Sequence, residues 1–228
     1  MGERVSFAAD GGDCEGYLAR PAQAAGPGVI VIQEWWGLNH HVMSIADRLA
    51  GEGFVALAPD LYHGKVTRSP DEAGRLLMAM SIDLAEKDLR GAIGYSKALT
   101  GGAVGVLGYC MGGALSLFAG CKGGADVGAC VVYYGGHPKV SYDYDSLRAP
   151  VLAHWAEHDD FANAGVPSIE RELRQRGRAY EFHRYPGTRH AFFNDERPQV
   201  YDQAAAELSF ARTLAFFRAH LSKSGAKP

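Results

Sequence analysis

Gly108-Tyr109-Cys110-Met111-Gly112-Gly113 lies between a short apolar run, Val104 to Leu107, and an Ala/Leu-rich segment, Ala114 to Ala119. Strand, Gly-x-nucleophile-x-Gly and helix in succession form the pattern of a nucleophile elbow. The turn is so tight that side chains two positions to either side of the central residue would collide, which explains the glycines. It holds the central side chain at the carboxyl edge of a sheet, above the start of a helix. Here that side chain is a thiol, and a helix N-terminus favours an anion, so the position suits a thiolate. A lone cysteine is more often a small buried hydrophobe. The agreement of glycines, strand and helix makes Cys110 a candidate nucleophile.

Outward from the elbow, strands and helices alternate. Val5 to Ala8 and Glu15 to Ala19 read as short strands joined by the Asp10-Gly11-Gly12 turn. Gly28 to Ile32 is a continuous apolar run, as in a strand buried on both faces. A helix is predicted over His41 to Gly51, a strand over Phe54 to Ala58, and a helix over Asp71 to Met80. Ser81 can cap the next helix, whose apolar stripe is Ile82, Ala85, Leu89 and Ile93. After the elbow come strands at Gly128 to Tyr134, Pro150 to Trp155 and Ala179 to Tyr185. A helix is predicted over Gly165 to Arg176, and a closing one over Pro198 to Leu221. This alternation predicts an α/β fold: a mostly parallel central sheet with helices on both faces. Residues 1–221 read as one such domain and 222–228 as a disordered tail. Ligands in such sheets bind beyond the carboxyl ends of the strands, and the elbow is at one of those ends.

The chain has 228 residues, 47% hydrophobic and 21% charged, enough for an ordinary globular core. Its net charge of −3 offers no general attraction to nucleic acid or anionic membranes. No apolar run approaches the length of a membrane span, and Met1 to Asp13 shows no signal-peptide core. The four cysteines, Cys14, Cys110, Cys121 and Cys130, have neither CxxC nor zinc spacing. A cytoplasmic location, a monomer or weak homodimer, and no cofactor are the expectations.

A cysteine nucleophile needs a base, and the base needs an orienting acid. In the α/β-hydrolase arrangement the chain order is nucleophile, acid, histidine. The strand Pro150 to Trp155 runs into Ala156-Glu157-His158-Asp159-Asp160, where Asp159 and Asp160 are equally placed to be the acid. Most loop carboxylates are merely solvated. The loop Tyr185 to Phe193 contains one histidine, His190, whereas His183 lies within the strand pattern and His220 at the end of the closing helix. A second oxyanion donor is expected after the first central strand, in Gln33-Glu34-Trp35-Trp36-Gly37. The backbone amides of Trp35 and Met111 are therefore the candidate oxyanion hole. Glu34, between an apolar strand and two tryptophans, is expected to be partly buried with a raised pKa. Trp35, Trp36, Tyr109, Phe192 and the segment Tyr62 to Met80 are the expected pocket walls.

Gln33-Glu34-Trp35-Trp36-Gly37-Leu38-Asn39, Pro59-Asp60-Leu61-Tyr62, the elbow, and Gly187-Thr188-Arg189-His190-Ala191-Phe192 recur in this order and spacing in the dienelactone hydrolase family, which the chain resembles over nearly its whole length. The resemblance implies an α/β-hydrolase fold, metal-free hydrolysis of small lactones or esters through an acyl-cysteine, and a Cys110–Asp159–His190 triad. It also implies that Glu34 meets the thiol in the resting enzyme. Two features depart from the family. Asn194 stands where an arginine grips the substrate carboxylate, and Ala191 replaces a common serine. The family's other arginine has no aligned counterpart; Arg68 and Arg75 are near it, and Arg75 is taken as a substrate-binding candidate. A neutral ester is thus expected to serve at least as well as a free carboxylate. Two other readings are a thiol redox sensor, or a non-catalytic binding member, of the same fold, and a metal hydrolase using His154, His158 and Asp159.

Overall fold

The computed structural model describes residues 2–23 and 25–221; the expected tail, 222–228, lies outside the described residues. Strands β1 (Glu3–Ala9) and β2 (Gly12–Ala19) form an antiparallel hairpin. There follow β3 (Gly28–Ile32), α1 (His40–Gly51), β4 (Val55–Pro59), α2 (Pro70–Ala79), α3 (Ile82–Thr100), β5 (Val104–Tyr109) and α4 (Met111–Gly123). The chain ends with β6 (Val127–Tyr133), β7 (Val151–His158), α5 (Asp160–Asn163), α6 (Val166–Gln175), β8 (Tyr180–Arg189) and α7 (Gln203–His220). The sheet order is β1-β2-β4-β3-β5-β6-β7-β8, antiparallel at β1–β2 and β2–β4 and parallel elsewhere.

The central strands are buried on both faces because helices cover both. A side chain at Gly28 would meet Ser96 and Thr100 of α3, whereas one at Gly105 would meet Phe217 of α7. Val29 pairs with Gly105, so alternation sends Gly28 and Gly105 to opposite faces. Ser81 caps α3 as expected, accepting from the Leu84 N–H at 3.3 Å. Several ends differ from the sequence reading: β2 begins at Gly12, before Glu15, and β7 continues to His158, beyond Trp155. The last strand continues to Arg189, beyond Tyr185. The closing helix begins at Gln203 rather than near Pro198, because Asp202 caps it and accepts from the Ala205 N–H at 2.9 Å.

Parallel register determines what emerges at the carboxyl edge. Ile32 is level with Gly108, so Glu34 and Cys110, each two residues further on, leave neighbouring strands side by side. The strand order reverses between β3 and β5, so this is the topological switch point of the sheet. On β7 and β8, His158 is level with Arg189, and Asp159 and His190 follow directly. That second alignment needs a bulge. Ala156 is level with Tyr185, so β8 carries two extra residues before the next aligned pair. Gly187, at φ 73°, turns the bulge, and its N–H donates to Glu157 Oε2 at 2.7 Å.

The elbow glycines are held by backbone, which cannot move aside. A Cβ on Gly112 would overlap the carbonyl oxygens of Ile32 and Gln33. Gly94, on the exposed face of α3, meets nothing. Gly112→Ala should therefore destabilise the fold by about 3 kcal/mol or more, and Gly94→Ala should stabilise it by about 0.5–1 kcal/mol. Urea melts of the two variants beside the parent check both signs.

Candidate active site

Cys110 is the N-cap of α4, at φ 56° and ψ −119°. Such a conformation is strained for a residue with a side chain and persists only where neighbours enforce it. Its N–H donates to the Tyr133 carbonyl at 3.0 Å, and its own carbonyl accepts from Gly113 at 2.9 Å. The thiol is half-buried, while Cys14, Cys121 and Cys130 are buried. Burial pushes Cys14 and Cys121 up to about 12 and also raises Cys130. Cys110 is thus the thiol placed for reaction.

Asp159 is oriented from two directions. Its Oδ1 caps α5, accepting from the Ala162 N–H at 3.1 Å. Its Oδ2 faces His190 Nδ1 at 2.5 Å. Asp159 is buried and Asp160 is exposed, so cap and strand register separate two neighbours that composition alone leaves equal. Burial opposes a charge on His190, but the Asp159 carboxylate and the Cys110 sulfur outweigh it and raise the imidazole to about 10. Tyr134, at φ 39°, sets its ring 5.0 Å from that of His190. Its hydroxyl is buried without a hydrogen-bond partner among the described residues.

Glu34 is 2% exposed, and Asn194 Nδ2 donates to its Oε2 at 2.6 Å. The resemblance put this acid against the thiol; here its hydrogen bond goes to Asn194, which satisfies a carboxylate that burial has stripped of water. Neither the Trp35 nor the Met111 N–H donates in a loop or cap hydrogen bond among the described residues. Both residues border the thiol's cleft.

That cleft has a volume of about 380 Å³. Glu34, Trp35, Trp36, Cys110, Met111, Asp159 and His190 line it, with Leu77 of α2, Gly136, Phe161, Ala191 and Arg197. Three expected wall residues are elsewhere. Tyr109 and Phe192 are fully buried beneath the site: Tyr109 stacks on Tyr133 at 4.5 Å, and Phe192 packs on Tyr134 and Tyr185. These rings gain more from the core than from a wet cleft. Arg75 is exposed on α2, whose buried residue is Ala73 alone, so its charge goes to solvent. Of the metal alternative, His154 is fully buried and bonded to Tyr185 and Thr213, and burial pulls its pKa well down. No three His, Cys, Asp or Glu side chains among the described residues are placed to share a metal ion.

Arg197 is the residue that sequence reasoning missed. Its guanidinium lies over the Trp36 ring at 5.5 Å. It pairs with no carboxylate among the described residues. It also borders an adjoining cavity of about 640 Å³ beyond Trp36, lined in addition by Arg68 and Asn194. The available signal was proximity, since Arg197 lies three residues after Asn194 in the same loop.

Comparison with known proteins identifies the family. Residues 14–221 match the model of the dienelactone hydrolase family. The chain is 36% identical to "Protein usf" of Aquifex pyrophilus, over 97% of this chain and all of that one. It is 32% identical, with the same coverage of both, to a protein of Aquifex aeolicus (strain VF5) named "Putative carboxymethylenebutenolidase". A solved structure from Klebsiella pneumoniae subsp. pneumoniae MGH 78578, named "Putative Dienelactone Hydrolase", superposes with a TM-score of 0.85 at 27% identity, covering 96% of this chain and 99% of that one. No helix of the described residues is long and apolar enough to cross a membrane. Sheet, helices and relatives agree on an α/β-hydrolase fold, and the chain belongs to the dienelactone hydrolase family.

Proposed function

We propose that this chain hydrolyses ester or lactone bonds with Cys110 as nucleophile, His190 as acid and base, and Asp159 as the orienting acid. The observation that supports it best is the half-buried thiol, at positive φ on a helix N-terminus, sharing one cleft with a histidine hydrogen-bonded to a buried carboxylate. A redox sensor would have no use for the doubly anchored Asp159. Family membership gives the same reaction class.

In this mechanism the Cys110 thiolate attacks the carbonyl carbon, and a C–S bond forms. The carbonyl oxygen becomes an oxyanion between the Trp35 and Met111 N–H groups. The C–O bond then breaks, and His190 gives its proton to the departing alkoxide. Water, deprotonated by His190, attacks the acyl-cysteine; the C–S bond breaks and the acid is released. The imidazolium and the thiolate are thereby restored. Glu34, held by Asn194, lines the same cleft as the thiol in the resting enzyme.

The substrate expectation changes with Arg197. Asn194 is committed to Glu34 and has little left to offer a substrate. Arg197 brings an unpaired cation to the cleft wall, at the junction with the cavity beyond Trp36. A substrate carrying a carboxylate on that side gains a charge-assisted partner, so preference for a neutral substrate no longer follows.

Cys110→Ala should fold and lose at least about 10³-fold in ester turnover; wild-type-like hydrolysis of p-nitrophenyl acetate would refute the cysteine mechanism. Asp159→Asn should lower kcat more than Asp160→Asn. It should also shift the alkaline limb of the pH profile. His190 is raised from its ordinary value to about 10, so the imidazolium is fully present below its unfolded pKa and is lost as pH rises through about 10. Without the Asp159 charge that limb should move to lower pH, while Asp160→Asn leaves it in place. Arg197→Ala should reduce kcat/KM for a lactone or ester with a free carboxylate, relative to its methyl ester, by roughly tenfold, the low end for a charge-assisted hydrogen bond of about 1.5–3 kcal/mol. An unchanged ratio would leave substrate charge unrecognised by Arg197.

A further inference from the structure

Four non-glycine residues among the described residues have positive φ: His63 at 49°, Cys110, Tyr134 and Ala191. Three are in or beside the catalytic cleft: the nucleophile, the ring against His190, and the residue after His190. Strain of this kind clusters at functional sites because the surrounding structure must enforce it. His63 is the exception in place. It lies in the loop after β4, residues 60–67, away from the thiol.

That loop braces the segments that carry both candidate oxyanion donors. The Leu61 N–H donates to Gln33 Oε1 at 3.2 Å, and the Thr67 N–H to the Trp36 carbonyl at 3.0 Å. Between these contacts the Lys65 carbonyl occupies the space a side chain on Gly37 would need. On the other half, the Tyr62 hydroxyl reaches Met111 Sδ at 3.3 Å. Asp60 ties the loop's base, accepting from the Tyr62 N–H at 3.2 Å and the Gly64 N–H at 2.7 Å. The far side is held by a charge contact. His63 Nε2 is 3.0 Å from Asp88 Oδ2, a side chain of α3 that is 3% exposed. That oxygen is buried and has no other side-chain ion-pair partner among the described residues. A buried carboxylate on a helix with no part in the chemistry is costly, and the His63 imidazole is the side chain that faces it.

We propose that His63 and Asp88 are positioning residues of the active site: their contact holds loop 60–67 in the strained form that sets the Trp35 and Met111 amides. The proposal rests on the oxyanion-hole reading above. It concerns the geometry of the donors rather than the reactivity of the thiol, and the two can be measured apart.

The test is a double-mutant cycle with His63→Gly, which permits positive φ without the imidazole, and Asp88→Asn, which keeps the shape and removes the charge. Each is expected to lower kcat for p-nitrophenyl acetate about tenfold, with KM within about twofold, as for a donor moved out of line. The double variant should be no worse than the worse single one, because both break the same contact. Alkylation of Cys110 by iodoacetamide should proceed at the parental rate in all three. An unchanged kcat in His63→Gly, losses that multiply, or alkylation that slows in step with kcat would each overturn the proposal. If parental Cys110 is not alkylated, or Cys110→Ala retains turnover, the cysteine mechanism fails first and takes this proposal with it.

Discussion

Backbone meets backbone at the elbow, and much of the molecule is arranged around that approach. A side chain on Gly108 would overlap the carbonyl of Gly112, and one on Gly112 would overlap the end of β3. Only with both glycines can β5 turn directly into α4. The cost falls on Cys110, fixed at positive φ between them. A free peptide would relax from this conformation. Here the Tyr133 carbonyl holds the Cys110 N–H, and Tyr109, Tyr133 and Phe193 fill the space beneath. The dense aromatic floor is what allows the thiol above it to stay strained and half-open.

Register carries that local constraint to the other groups. Parallel strands bring residues to the same edge, but only an aligned pair decides which side chains meet. Ile32 with Gly108 delivers Glu34 beside Cys110, and His158 with Arg189 delivers Asp159 beside His190. The second alignment exists because β8 bulges around Gly187, where Glu157 accepts the freed N–H. Straightening the bulge with the chain length unchanged would set Gly187 level with His158 and carry His190 past Asp159. Glu157 lies outside the chemistry, yet it stabilises the geometry on which the histidine depends.

Sequence reading succeeds where one local segment contains the whole cause. The elbow, the buried run Gly28–Ile32 and the Ser81 cap are of this kind, and each is where the pattern puts it. It falls short where the cause lies in another segment. Asp159 and Asp160 differ through a helix cap and a register that depends on β8. Tyr109 and Phe192 adjoin the nucleophile and the histidine in sequence, which suggested pocket walls. Their rings point down into the core, a distinction that neighbouring letters do not encode. Arg197 carries no local signal of its own, since it directly precedes the helix predicted from Pro198. The structure makes the stretch after Asn194 a series of turns, with the Arg197 N–H on the Asn194 carbonyl at 3.0 Å.

Those turns separate two duties that a single arginine at position 194 would combine. A guanidinium there would satisfy Glu34 and present a cation to the substrate with the same group. The Asn194 amide satisfies one Glu34 oxygen and contributes no charge. The cation stands instead at Arg197, stacked on Trp36 and half-open to solvent, where screening is stronger. On the proposed reading, holding the buried acid and attracting a substrate are independent properties of two side chains. Substrate charge can be tuned at the rim without disturbing the acid beside the nucleophile.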